Sequence, residues 1–165
     1  MNIFFVHSDP QICAQMLCDK HVVKMPSETA QILLTAFDGL NVILPLNKSG
    51  TPYSTRGYYN HPCCKWAREG KGNFLWLLEH GRALCDEYRR RYEKDHYSEN
   101  AIDWISRHID FISFEHDGFC DPPQCMPEQY RSNSTVESYR EYYRREKAYF
   151  AKWKCGNVPE WFHGA

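Results

Sequence analysis

Apolar positions along this 165-residue chain recur mainly at helical spacing. The longest such stretch runs from Asp9 to Phe37. Asp9 can cap the free N–H groups, and Pro10 suits the first helical position. At about 100° per residue, His21, Lys24, Glu28 and Gln31 fall on one narrow stripe. Val22, Val23, Ala30, Leu33, Leu34 and Phe37 fall on the opposite side, against a core. Pro26 removes a backbone donor within the stretch. It either kinks one helix or ends it and starts another. Asp19 projects to the apolar side and needs a cationic partner from another helix.

Elsewhere the pattern predicts shorter elements. Residues 3–6, Ile-Phe-Phe-Val, read as a strand-like arm or a plug against the first helix. Residues 38–60 are rich in Gly, Pro, Ser and Asn and read as a long loop. A short helix is expected over 62–69 and a longer one over 72–93, where Gly70, Gly72 and Gly81 weaken the pattern. Ser98 is expected to cap a helix over 99–110, with Ile102, Ile105 and Ile109 inward. Residues 113–133 read as loop, and Ser134 or Thr135 opens a last helix reaching 153. The tail from Cys155 to Ala165 is expected to pack back on the body. The fold class that follows is all-α: a compact single-domain helical bundle with long loops, over residues 1–165.

Composition narrows the picture. Aromatic residues make up 15%, too much ring surface for a disordered chain. The net charge of -1 excludes a protein that is strongly basic as a whole, so charge matters locally. The start MNIFFVHSDP has no basic region and only a short apolar run, unlike a signal peptide. No apolar run is long enough to span a membrane, and no membrane partner is expected. A cytosolic location follows as the expectation, with the eight cysteines acting mainly as small hydrophobes.

Three constellations have chemical content. The first is the His21, Lys24 and Glu28 stripe, with His61 as a further member. Cleaving a glycosidic bond needs a carboxylate where positive charge develops at C1′, and a lyase needs an uncharged amine. An ordinary i,i+4 ion pair between Lys24 and Glu28 fits the same spacing. The second is the basic and aromatic C-terminal stretch, where Arg140, Arg144, Arg145 and Lys147 interleave with tyrosines. Such a face suits phosphates and stacked bases, and equally an amphipathic helix with its rings inward. The third is metal-ligand spacing in Cys18-x-x-His21 and His61-x-Cys63, with Cys120 and Cys125 as a looser pair. With no CxxC repeat and no HExxH, no metal ligand and no cofactor is assigned.

Asp19-x-His21-Val22-Val23 followed by Glu28 resembles the pyrimidine-dimer DNA glycosylase/AP lyase family, the endonuclease V-like enzymes. His61 before an aromatic helix, Glu87 with Arg89–Arg91, and a basic aromatic segment ending in Trp161 extend the resemblance. The resemblance implies an all-helical enzyme of base excision. An amine attacks C1′ of the damaged nucleotide, a glutamate stabilises the imine, and β-elimination cuts the strand. On this reading Glu28 is the catalytic carboxylate, and His21 supports the site or contacts the DNA backbone. The chain departs from the family at residue 2, which is Asn2 rather than threonine, and at Ser27 and Gln31, which replace arginines. The nucleophile is then the Met1 amine, a lysine such as Lys24 or Lys20, or absent.

The leading expectation is an N-glycosylase with possible AP lyase activity on damaged or modified pyrimidines in DNA. Glu28, His21 and Lys24 form its catalytic set. Lys20, Gln31, His61, Trp66, Arg89, Arg90, Arg140, Arg144 and Arg145 are its candidate contacts to DNA. A small-nucleotide binder or hydrolase on the same scaffold, a helical partner-binding protein and a zinc protein are the alternatives.

Overall fold

The computed structural model describes residues 1–156 and 158–163. These form six helices: α1 (Pro10–Met16), α2 (Asp19–Leu34), α3 (Pro62–Glu69), α4 (Lys71–Tyr92), α5 (Glu99–His108) and α6 (Thr135–Glu146). Short 3₁₀ turns follow α2 and α5 and precede α6, and a fourth lies at Glu160–Phe162. Among the described residues there is no strand, only two isolated bridges, and the fold is all-α. No helix among them is long and apolar enough to cross a membrane.

Helix α4 is central and packs against α1, α2, α3 and α5. Gly81 does not weaken it, because the glycine is required by the packing. A Cβ there would lie 2.8 Å from Thr29 Cγ2 on α2 and 3.2 Å from Ile102 Cδ1 on α5. The start of α4 carries no side-chain cap. Its free N–H groups are met instead by the loop after α5, with Lys71 N–H donating to the His116 carbonyl at 2.8 Å.

The stretch from 9 to 37 is one element in its periodicity but two helices in the structure. Asp9 caps α1, its carboxylate accepting from the N–H groups of Gln11 and Ile12 at 2.9 Å each. Leu17 and Cys18 are then extended, with ψ of 143° and 163°. The cause is tertiary. Arg91 of α4, almost fully buried, donates to the carbonyls of Gln15 and Leu17 and pairs with Asp19 Oδ1 at 3.0 Å. It is the cationic partner that Asp19 required. The Cys18 N–H donates to the Tyr143 hydroxyl at 2.8 Å. Pro26 does not end α2, which runs through it to Leu34. His96 Nε2 donates to the Val23 carbonyl at 3.0 Å, beside the carbonyl that the proline leaves without its usual donor.

Other differences have equally local causes. Residues 3–6 are a buried plug and not a strand. Ser98 precedes α5 but does not cap it, since its hydroxyl meets Ser27 Oγ at 3.0 Å. Ile102 and Ile105 are buried, while Ile109 falls in the following 3₁₀ turn and is half-buried. Helix α6 is capped by Ser134 and stops at Glu146, short of 153. The chain beyond leaves the helix to dock on the start of α2, where the Asp19 N–H donates to the Lys152 carbonyl at 2.8 Å. The tail packs back through Trp153 and Trp161, whose ring N–H groups reach the carbonyl and sulfur of Met16. Asn157, Gly164 and Ala165 of the expected tail lie outside the described residues.

Arg91 holds the buried carboxylate of Glu87 and the half-buried one of Asp19, together with the end of α1. Arg91→Ala should therefore destabilise the fold by about 3 kcal/mol in urea unfolding. It removes the donors to the Gln15 and Leu17 carbonyls and one cation from each carboxylate, leaving Glu87 with Arg90 and Asp19 with the Lys154 N–H. A loss below about 1 kcal/mol, the range of exposed pairs, would show that this guanidinium is not the brace.

Candidate active site

The site is built where the beginning of the chain meets one face of α2. Ile3, Phe4, Phe5 and Val6 are all buried, and they carry Met1 and Asn2 to Glu28. Phe4 takes a left-handed φ of 48°, and its ring stacks on His21 with centroids 4.1 Å apart. The Asn2 side chain fixes the approach. Its Nδ2 donates to the Cys125 carbonyl at 2.9 Å, and its Oδ1 accepts from the Tyr139 hydroxyl at 2.7 Å. The Asn2 backbone N–H then donates to Glu28 Oε2 at 3.0 Å, and the Met1 amine lies 3.9 Å from the same oxygen. The Met1 side chain is only 2% exposed, with its sulfur 3.5 Å from Cys64 Sγ.

Helical spacing aligns Lys20, Lys24 and Glu28 one turn apart on α2. Lys24 Nζ lies 2.9 Å from Glu28 Oε1. A cavity of about 470 Å³ opens here, within the size range of small-molecule sites. Met1, Asn2, Lys20, His21, Lys24 and Glu28 line one side, and Tyr142, Lys147 and Phe150 line the other. Lys20 Nζ sits 4.7 Å from the Phe150 ring centre and Lys147 Nζ 4.6 Å from that of Tyr142. The Glu28 carboxylate thus has Lys24 and an α-amine close by, and shares its cavity with Lys20, Lys147 and two aromatic rings. A second hollow of about 430 Å³, between α1 and α4, is lined by Glu79, Asp86 and Glu87 with Arg82 as its one cation, so its net charge opposes a phosphate backbone.

His21 is in this cavity but not as a cation. It is buried at the edge of the polar stripe, where Phe4 covers it, while Val23 on the expected core side is 43% exposed. Its Nδ1 lies 2.7 Å from the Tyr143 hydroxyl. Burial pushes its pKa down to about 3, helped by the nearby charges of Lys147 and Lys24. At neutral pH the ring is uncharged, so it positions Phe4 and Tyr143 and holds no phosphate by charge.

The other residues singled out in the sequence lie elsewhere. Gln31 faces a separate hollow, with Ser27, Tyr53 and His96. His61 caps α3 through Nδ1, which accepts from the Cys63 N–H at 3.2 Å. Its pKa is lowered by burial and then by the Met1 ammonium, with Glu28 opposing, so it stands behind the site and not in the cavity wall. Trp66 is buried and donates to the Cys120 carbonyl at 2.9 Å. Each candidate arginine already holds a carboxylate. Arg89 pairs with Asp86, Asp95 and Glu99, Arg90 with Glu87, Arg140 with Glu137, and Arg144 and Arg145 with Glu141. None of these five lines the cavity. The groups not assigned to the site in advance are Asn2, Phe4, Tyr142, Lys147, Phe150 and Cys125. Lys147 and Tyr142 belong to the basic aromatic stretch, whereas the sequence marks Cys125 only as half of a loose metal-ligand pair and Asn2 only as a departure from a threonine.

A protein-family model described as pyrimidine dimer DNA glycosylase matches residues 1–100. No curated protein and no solved structure gives a significant match.

Two buried imidazoles make stability depend on pH. His80, stacked on Trp76 and bonded to the Pro10 carbonyl, is likewise pushed down by burial, to about 4. Both folded pKa values lie below that of the unfolded chain. Stability is therefore full above about pH 6.5 and falls as pH drops toward 4 and 3. Each imidazole should cost about 2 kcal/mol between pH 7 and 5. His21→Gln should flatten that slope in urea unfolding, and an unchanged slope would mean that His21 is charged in the fold.

Proposed function

The chain belongs to the pyrimidine dimer DNA glycosylase family, and we propose that it releases a damaged or modified pyrimidine through an imine formed on its Met1 amine. A DNA-repair glycosylase activity, with DNA as substrate, follows from the family. The lyase chemistry and the residue roles are our reading. The observation that carries them is the meeting of the Met1 amine and the Asn2 amide at Glu28 Oε2. An α-amine can attack C1′ and form an imine as a lysine side chain can. Lys24 Nζ is 68% exposed and held by Glu28, a setting that does nothing to make it a nucleophile. Asn2 is bulky for removal of the preceding methionine, and Met1 has a built seat against Cys64.

In the proposed reaction the amine lone pair attacks C1′ of the target nucleotide. The glycosidic bond breaks, and its electrons leave with the base, which takes up a proton. Loss of a proton from nitrogen and opening of the sugar ring give a C1′=N imine. Removal of a C2′ proton then expels the 3′-phosphate by β-elimination, and water releases the amine. Glu28 stabilises the positive charge on C1′ and nitrogen. Phe150 and Tyr142 offer faces for a displaced base, and Lys20 and Lys147 offer charge to the flanking phosphates. One observation supports a second reading. The paired arginines of α6 narrow the free basic surface to the cavity rim, which also suits a small nucleotide.

Glu28→Gln should lower cleavage of a UV-irradiated duplex by about 100-fold or more while leaving thermal unfolding unchanged. Full activity in this variant would refute the mechanism. Lys147→Ala should reduce the salt dependence of duplex binding by about 0.9 in log–log slope, the contribution of one phosphate contact. An unchanged slope would place the DNA elsewhere.

A further inference from the structure

The His61-x-Cys63 spacing takes no part in the excision chemistry, yet the fold supplies it with a third ligand. Cys125, 62 residues beyond Cys63, brings its Sγ to 3.6 Å from Cys63 Sγ. The donor atoms of His61, Cys63 and Cys125 all lie within 4.8 Å of one another. Two thiolates on one tetrahedral zinc, each about 2.3 Å from the metal, stand about 3.8 Å apart. Cys63 is buried, and the other two are half-buried, which admits an ion but shields the sulfurs. We propose that His61, Cys63 and Cys125 bind a zinc ion, with the fourth position open to water.

The chemistry balances. Zn²⁺ displaces two thiol protons to solvent, and two thiolates with a neutral imidazole cancel its charge. His61 would offer the metal one ring nitrogen. The other zinc-type spacing does not converge. Cys18 and His21 are buried apart from this cluster, each bonded to the Tyr143 hydroxyl.

The site would tie the loop after α5 to the start of α3. That loop carries the Cys125 carbonyl, which accepts the Asn2 side chain at 2.9 Å, and Asn2 in turn directs the chain start at Glu28. The ion would therefore act as a positioning group for the N-terminal arm and not as a reacting centre. This inference stands without the glycosylase reading, since its readouts are metal content and stability.

The test is elemental analysis of the full chain, purified with reductant from zinc-supplemented culture. One zinc per chain is expected, reduced at least tenfold in Cys63→Ser and Cys125→Ser but kept in Cys120→Ser. Cobalt in place of zinc should show thiolate-to-metal charge-transfer absorption, and chelation should lower the melting temperature. Wild-type protein without zinc would overturn the proposal. So would zinc that survives both substitutions, or a native mass two daltons low from a Cys63–Cys125 disulfide.

Discussion

Burial of Ile3, Phe4, Phe5 and Val6 places the beginning of the chain inside the molecule, and the candidate site depends on that placement. Four apolar side chains removed from water anchor the arm at roughly 1.5–3 kcal/mol each. They leave Met1 and Asn2 no course except along α2 to Glu28. The arm also shapes its surroundings, because Phe4 covers His21 and turns it from a surface cation into a neutral wall. Segments of this kind are poorly ordered unless tertiary contacts tie them down. Here the anchoring energy is spent on presenting a backbone nitrogen to a carboxylate.

Arg91 does comparable work on the other side of α2. Its guanidinium takes the last carbonyls of α1, pairs with Asp19 and Glu87, and so permits the bend at Leu17 and Cys18. That bend sets the direction of α2, on which Lys20, Lys24 and Glu28 stand. The segment after α6 closes the same corner, through Lys152 to the Asp19 N–H and Lys154 to its carboxylate. Tyr143 links this corner to His21. Candidate site and scaffold are thus one connected network, and substitutions far from Glu28 can move it.

What the sequence disclosed follows the range of the forces involved. Helices α3 and α4 fell within one residue of expectation, because Pro62, the Gly70 break and the apolar repeat are local signals. The N-cap at Asp9 was equally legible. The break after Met16 was not, because its cause is an arginine 72 residues from Asp19. The early end of α6 was hidden for the same reason, as the partners of residues 152–154 are the end of α1 and the start of α2. In the site, the i,i+4 spacing of Lys20, Lys24 and Glu28 could be read directly. The inward turn of His21 depends on Phe4, and the meeting of Asn2 with Cys125 spans 123 residues. The arginines of the last helix outnumber its glutamates in sequence, and spacing alone does not show that Arg140 closes on Glu137 and that Arg144 and Arg145 share Glu141.

The central claim is that the amine at the start of the chain is the nucleophile held at Glu28. Borohydride reduction during reaction with a duplex carrying one abasic site tests it most directly. The account predicts a covalent protein–DNA adduct whose mapped peptide carries the modification on the Met1 nitrogen. An adduct on Lys20, Lys24 or Lys147, or no adduct under conditions where the strand is cut, would contradict it.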